Sequence, residues 1–88
     1  MTNPTATLTK FLDRADQKPT LEEAQAFVGG FVEVLPNHGP LRYDEVAQIL
    51  GNEEAYIHHL PVNPVASKYA GYEIRGNVLI LRGAALWD

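Results

Sequence analysis

The chain contains no cysteine. A disulfide scaffold and a thiolate zinc knuckle are both excluded, so its 88 residues must be held by their own core. Cations are scarce: seven Lys and Arg stand against eleven Asp and Glu, for a net charge of −4. That is a poor electrostatic footprint for a duplex binder, so nucleic acid is an unlikely partner, and it is too weak for a mimic of DNA. No apolar run approaches the roughly 18 residues of a membrane span. Serine occurs once, at Ser67, with no nucleophile elbow around it. Met1-Thr2-Asn3-Pro4 has neither a basic nor an apolar leader region, which leads us to expect a cytoplasmic protein. Repeats and low-complexity tracts are also missing.

What is present argues for a folded chain, with 45% hydrophobic and 20% charged residues. By size scaling, about 64% of the unfolded surface should be buried, enough for one modest core. Residues 1–7 read as a loose tail and 8–88 as a single domain.

Leu8, Phe11, Leu12 and Ala15 recur at helical spacing and predict a first helix that stops before Pro19. Thr20 and Glu23 form a capping box for a second helix, striped by Leu21, Ala24, Phe27 and Val28 and ended by Gly29-Gly30. Phe31 to Leu35 reads as a strand. Pro36 to Pro40 is a loop, and Leu41 to Leu50 fits either a short helix or, from Val46, a strand. We favour a hairpin, with Asn52-Glu53-Glu54 as its turn and Ala55 to Leu60 returning. Asn63-Pro64 opens a short helix that Gly71 ends. Val78-Leu79-Ile80-Leu81 has no polar alternation, so it must be covered on both faces, as a central strand or at a subunit contact. The fold expected is α+β: a small, mostly antiparallel sheet with two or three short helices on one face.

Three ordered motifs carry a resemblance. Thr20 to Val34, with its Val28-Gly29-Gly30 break and Phe31-Val32-Glu33 strand, resembles the opening of a domain-of-unknown-function family carried by phages, plasmids and integrative elements. Asn52-Glu53-Glu54 ahead of Pro61-Val62-Asn63-Pro64 is similar to that family's central motif, and Ile74 to Leu81 to its closing strand. The resemblance spans roughly residues 20 to 82. It departs at the long stretch Pro36 to Leu50 and at Ala55, where the family often has glycine. It implies a mobile-element accessory protein and supplies no activity.

Each polar feature has a bland and a functional reading. Asn52-Glu53-Glu54 is a turn in which Asn52 bonds its own backbone, or a pair of carboxylates presented at a sheet end. His58 and His59 point to opposite faces of a strand and cannot chelate one metal, although His58 could hydrogen-bond a ligand. No metal or cofactor is expected. Asn63 caps its helix, and the free N–H groups there, with Ser67 and Lys68 one turn on, could attract an anion. Gln25 and Glu33 either face a groove or mark the solvent side. Arg75, beside Gly76 in a turn, is the arginine best placed to hold an anion. Trp87 suits a buried anchor at an oligomer contact.

These residues support a non-catalytic binder with Gln25, Glu33, Asn52, Glu53, His58, Asn63, Ser67 and Arg75 as its ligand-binding set. The leading expectation is a homo-oligomer that sequesters a small anionic, nucleotide-derived ligand as a counter-defence protein. The alternative is a protein–protein inhibitor of a host enzyme or defence complex. On the first reading, alanine at Arg75 or Asn63 abolishes capture and leaves the fold intact.

Overall fold

Thr20 opens a helix as its capping box requires. Glu23 N donates to Thr20 Oγ1 at 3.1 Å, and Thr20 N donates to Glu23 Oε1 at 2.9 Å. This helix, α1, spans Leu21–Val28. Gly29 ends it at φ +82°, a conformation that only glycine adopts without cost. In the computed structural model, residues 7–37 and 46–88 are described. Around α1 stand strands β1 (Thr9–Leu12), β2 (Val32–Leu35), β3 (Ala47–Asn52) and β4 (Val78–Arg82), and helix α2 (Pro64–Ala70). Short 3₁₀ turns occupy Ala15–Gln17 and Gly83–Ala85.

The strands form one sheet in the order β1-β4-β3-β2, with β1 parallel to β4 and the other pairs antiparallel. The architecture is α+β, as expected. β4 is central, and its apolar run is buried on both faces. Val78 and Ile80 pack with Ile49 and with Ala66 and Ala70 of α2. Leu79 and Leu81 pack with Leu50 and with Ala24 of α1. Successive strand residues point to opposite faces, so the two helices cover opposite sides of the sheet. The expectation of helices on one face is corrected: a strand buried on both sides needs a cover on each. Full burial of each such Leu, Ile or Val contributes about 1.5–3 kcal/mol.

Three further readings change. Residues expected as a first helix form β1 instead. Four residues with Thr9 and Phe11 on one side and Lys10 and Leu12 on the other satisfy both periodicities, and the open edge of β4 decides for the strand. Ala55 to Leu60 is a run of turns, not a returning strand. Leu60 N donates to Ala55 O at 3.0 Å and closes it into a compact loop, so Asn52-Glu53-Glu54 is not a hairpin turn. Trp87 serves its own chain. Its indole N–H donates to Pro19 O at 2.8 Å, and its backbone N–H and C=O are clasped by the Gln48 amide at 2.6 and 2.9 Å. With Trp87 and β4 both satisfied inside one chain, neither argues for an oligomer contact.

Residues 47–52 resolve the helix-or-strand ambiguity toward a strand, whereas 41–45 and most of the preceding loop lie outside the described residues. Among the described residues, no helix is long and apolar enough to cross a membrane.

Candidate functional site

Six of the eight residues singled out from the sequence fall into two groups, and His58 and Glu33 stand apart from both. Gln25, Asn52 and Glu53 converge where α1 ends and β2 begins. Asn52 closes this junction: its Nδ2 donates to Val28 O at 3.2 Å, and its Oδ1 accepts from Glu54 N at 2.8 Å. Glu53 N donates to Phe31 O at 2.8 Å, extending the β2–β3 ladder beyond its last residue pair. Asn52 is buried and fully engaged, so its part is to fix the backbone that presents its neighbours. Those neighbours face outward. Gln25, Gly30, Phe31 and Glu54 line an open concavity of about 280 Å³, and Phe31 is 66% exposed.

The loop after Glu54 borders this surface. His58 Nε2 lies 3.7 Å from Glu54 Oε1, and both side chains are partly open to solvent. Ile57 is 72% exposed on the same loop. The loop is pinned from beneath: the Tyr56 hydroxyl donates to Glu73 O, Arg75 Nη1 donates to Leu60 O at 3.0 Å, and the Arg75 guanidinium stands over the Tyr56 ring. Glu33 lies on β2 opposite Gly51. Its side chain points to the face of Leu35 two residues on, and it is not among the residues that line the concavity. It is close enough to Tyr72 for its carboxylate, after burial and the Tyr56 phenol, to help raise the Tyr72 phenol above its ordinary value.

Asn63, Ser67 and Arg75 form the second group, and the fold uses all three. Asn63 is 1% exposed. Its Oδ1 accepts from Ala66 N at 3.0 Å, its Nδ2 donates to Gly76 O at 2.9 Å, and the Thr9 hydroxyl lies within 3.0 Å of both amide atoms. Ser67 Oγ accepts from Ile74 N at 2.8 Å and donates back to Ile74 O at 3.2 Å. Arg75 Nε pairs with Glu73 Oε2 at 3.0 Å. The expectation that alanine at Asn63 leaves the fold intact is therefore corrected. That change would strand a buried carbonyl and a helix N–H.

Phe31, Glu54 and Ile57 were not in the set chosen from the sequence. Phe31 carried a signal, as an aromatic directly after a Gly-Gly break. Ile57 was hidden by the assumption that it alternates within a strand. Among the described residues, no three His, Asp or Glu side chains come together as a metal site would require. The chain matches no protein-family model, no curated protein and no solved structure.

Proposed function

We propose that this chain is a non-catalytic binding protein, and that the surface around Phe31, Glu53, Glu54 and Ile57 engages a partner protein through an apolar side chain flanked by Lys or Arg. The carrying observation is the pairing of a strongly exposed Phe31 with Glu54 in a concavity that has no cationic lining residue among those described. An exposed aromatic ring on a rigid backbone loses little entropy on docking and is a favourable anchor. Carboxylates at its rim attract a basic partner and repel phosphate. This raises the inhibitor reading above sequestration of a nucleotide-derived ligand at this end of the molecule. In keeping with the motif resemblance, the protein would act as a mobile-element accessory factor that covers a basic patch on a host enzyme or defence complex. Nothing in this reading requires a second copy of the chain.

Photo-crosslinking tests it. A photoreactive phenylalanine analogue at position 31 should yield one discrete adduct in cells, and the same analogue at exposed Leu21 should not. Glu53→Lys with Glu54→Lys should remove the adduct while the thermal melt stays close to that of the parent. Equal adducts from both positions, or indifference to charge reversal, would refute the assignment.

A further inference from the structure

A second concavity, of about 310 Å³, lies between β1, the turn at Ala15–Gln17 and α1, on the sheet face that α1 covers. Its apolar wall comes from Leu12, Phe27 and Leu79, and Lys10, Lys18, Asp16 and Glu23 contribute its charged groups. Three of these four charges already have partners. Asp16 Oδ1 accepts from Arg14 Nε at 3.1 Å, Glu23 Oε1 accepts from Thr20 N at 2.9 Å, and Lys18 Nζ lies 3.6 Å from Asp88 Oδ2. Lys10 is different. Its ammonium sits 5.1 Å from the centre of the Phe27 ring and forms no ion pair among the described residues. A cation over a ring face keeps most of its capacity to bind an anion, since the ring offers only quadrupole attraction.

We infer that this groove binds a small monocarboxylate with an apolar body, its carboxylate on the Lys10 ammonium and its hydrocarbon part against Leu12, Phe27 and Leu79. The volume stands at the lower end of the range for small-ligand pockets, which sets the size of the guest at a medium-chain or single-ring acid. One unpaired cation matches one negative charge. A polyphosphate would meet the carboxylates of Asp16 and Glu23 on the same groove. Two sources share this chemistry, a free acid and the C-terminal carboxylate of another protein, and the groove's open side admits either. The site is independent of the partner surface at Phe31, since the two share no lining residue.

The chain carries its own reporter. Trp87, its one tryptophan, donates its indole N–H to the carbonyl of Pro19, and Pro19 lines the groove. The experiment titrates the full chain with octanoate, octylammonium and octanol, following Trp87 emission and heat of binding. Octanoate should saturate, and octylammonium should not. Lys10→Gln should weaken octanoate by about tenfold or more, as expected on losing one charge-assisted contact. Lys10→Arg should retain binding, and Lys68→Gln, on the exposed side of α2, should change nothing. Hexanoyl-glycine and a short peptide with a free C-terminus separate the two sources: tighter binding of the peptide than of its amidated form assigns a chain terminus, and preference for octanoate assigns a free acid. Equal binding of octylammonium and octanoate, an unchanged affinity in Lys10→Gln, or no saturation by any of these acids would overturn the site. Lys10 is exposed, so these variants fold and the negative result is interpretable.

Discussion

Replacing Asn63 by alanine should destabilise the protein by about 3–5 kcal/mol, far more than the loss of a helix cap. The cap itself, Ala66 N to Asn63 Oδ1, is worth about 1 kcal/mol. Removing Nδ2 leaves the buried carbonyl of Gly76 without its donor, which costs a further 1–3 kcal/mol by the usual magnitude for such groups, so roughly that range is added. The tie to the Thr9 hydroxyl contributes about 0.5–1.5 kcal/mol as an ordinary hydrogen bond. For a chain of this length total stability is on the order of 4–13 kcal/mol, so the loss is roughly a quarter or more of the whole. Asn63→Ser separates the terms, since its hydroxyl can still cap α2 but cannot reach Gly76. The serine variant should recover about 1 kcal/mol of the loss and no more. Urea titrations read by Trp87 emission and far-ultraviolet dichroism supply both numbers. A loss of about 1 kcal/mol in the alanine variant, with full recovery in the serine variant, would show that Asn63 is only a cap and refute the reasoning.

Gly51→Ala should cost about 1–3 kcal/mol by overpacking, since its new Cβ would stand 2.7 Å from Leu35 Cδ1; Leu35→Val in the same chain should restore part of it in a thermal melt. Gln48→Ala should release the backbone of Trp87, red-shift its emission and lower stability by about 1–3 kcal/mol, because two part-buried hydrogen bonds of roughly 0.5–1.5 kcal/mol each are lost. Burial, the Tyr56 phenol and the Glu33 carboxylate together hold the Tyr72 phenol above its ordinary value. The unfolded chain therefore ionises first: the contribution of Tyr72 is complete below about pH 10 and is lost as pH rises through the folded value. Tyr72→Phe should flatten that alkaline loss in melts recorded across the range, and an unchanged slope would remove Tyr72 as its source.

The parts of the fold legible in the sequence are those in which a local rule and the tertiary structure agree. The Thr20-Glu23 capping box, the Asn63-Pro64 start and the Gly29 and Gly71 stops each act within one turn of backbone, and the structure keeps all of them. The unalternating Val78 to Leu81 run announces a strand covered on both faces for the same reason, because its burial is written in its composition, while the choice between a central strand and a subunit contact is not. β1 was misread because four residues cannot distinguish a period of two from one of 3.6, and its partner lies nearly seventy positions away. Ala55 to Leu60 failed differently. Its Tyr, Ile and Leu suit a strand, yet Arg75 and Glu73, remote in sequence, fix it as a loop. The two-sided packing of α1 and α2 depends on which face of β4 each helix meets, and no local pattern records that. At the candidate site, Asn52 and Glu53 stand out in the sequence as polar residues at a break and Gln25 as a polar residue beside an apolar helix stripe, whereas Phe31 and Ile57 pass as ordinary strand residues.

The same contrast explains why polar motif residues are a poor guide to recognition in so small a chain. Few residues are available to build the loops that close the sheet, so single side chains substitute for backbone pairing. Asn52 ties the end of β3 to the end of α1, Asn77 joins Leu8 N to Phe27 O, Gln48 clasps Trp87, and Asn63 gathers β1, α2 and Gly76. Each of these amides both donates and accepts, and each is consumed in doing so. A side chain so placed cannot also hold a ligand without releasing a backbone group, at a cost of about 1–3 kcal/mol where that group is buried, as at Asn52 and Asn63. The two proposed sites accordingly draw on groups that the fold does not spend: Phe31, Glu53 and Ile57 at one end, and the Lys10 ammonium in the groove beside α1. Substitution at these positions can alter what is bound with little effect on stability, and substitution at the amides can do the reverse.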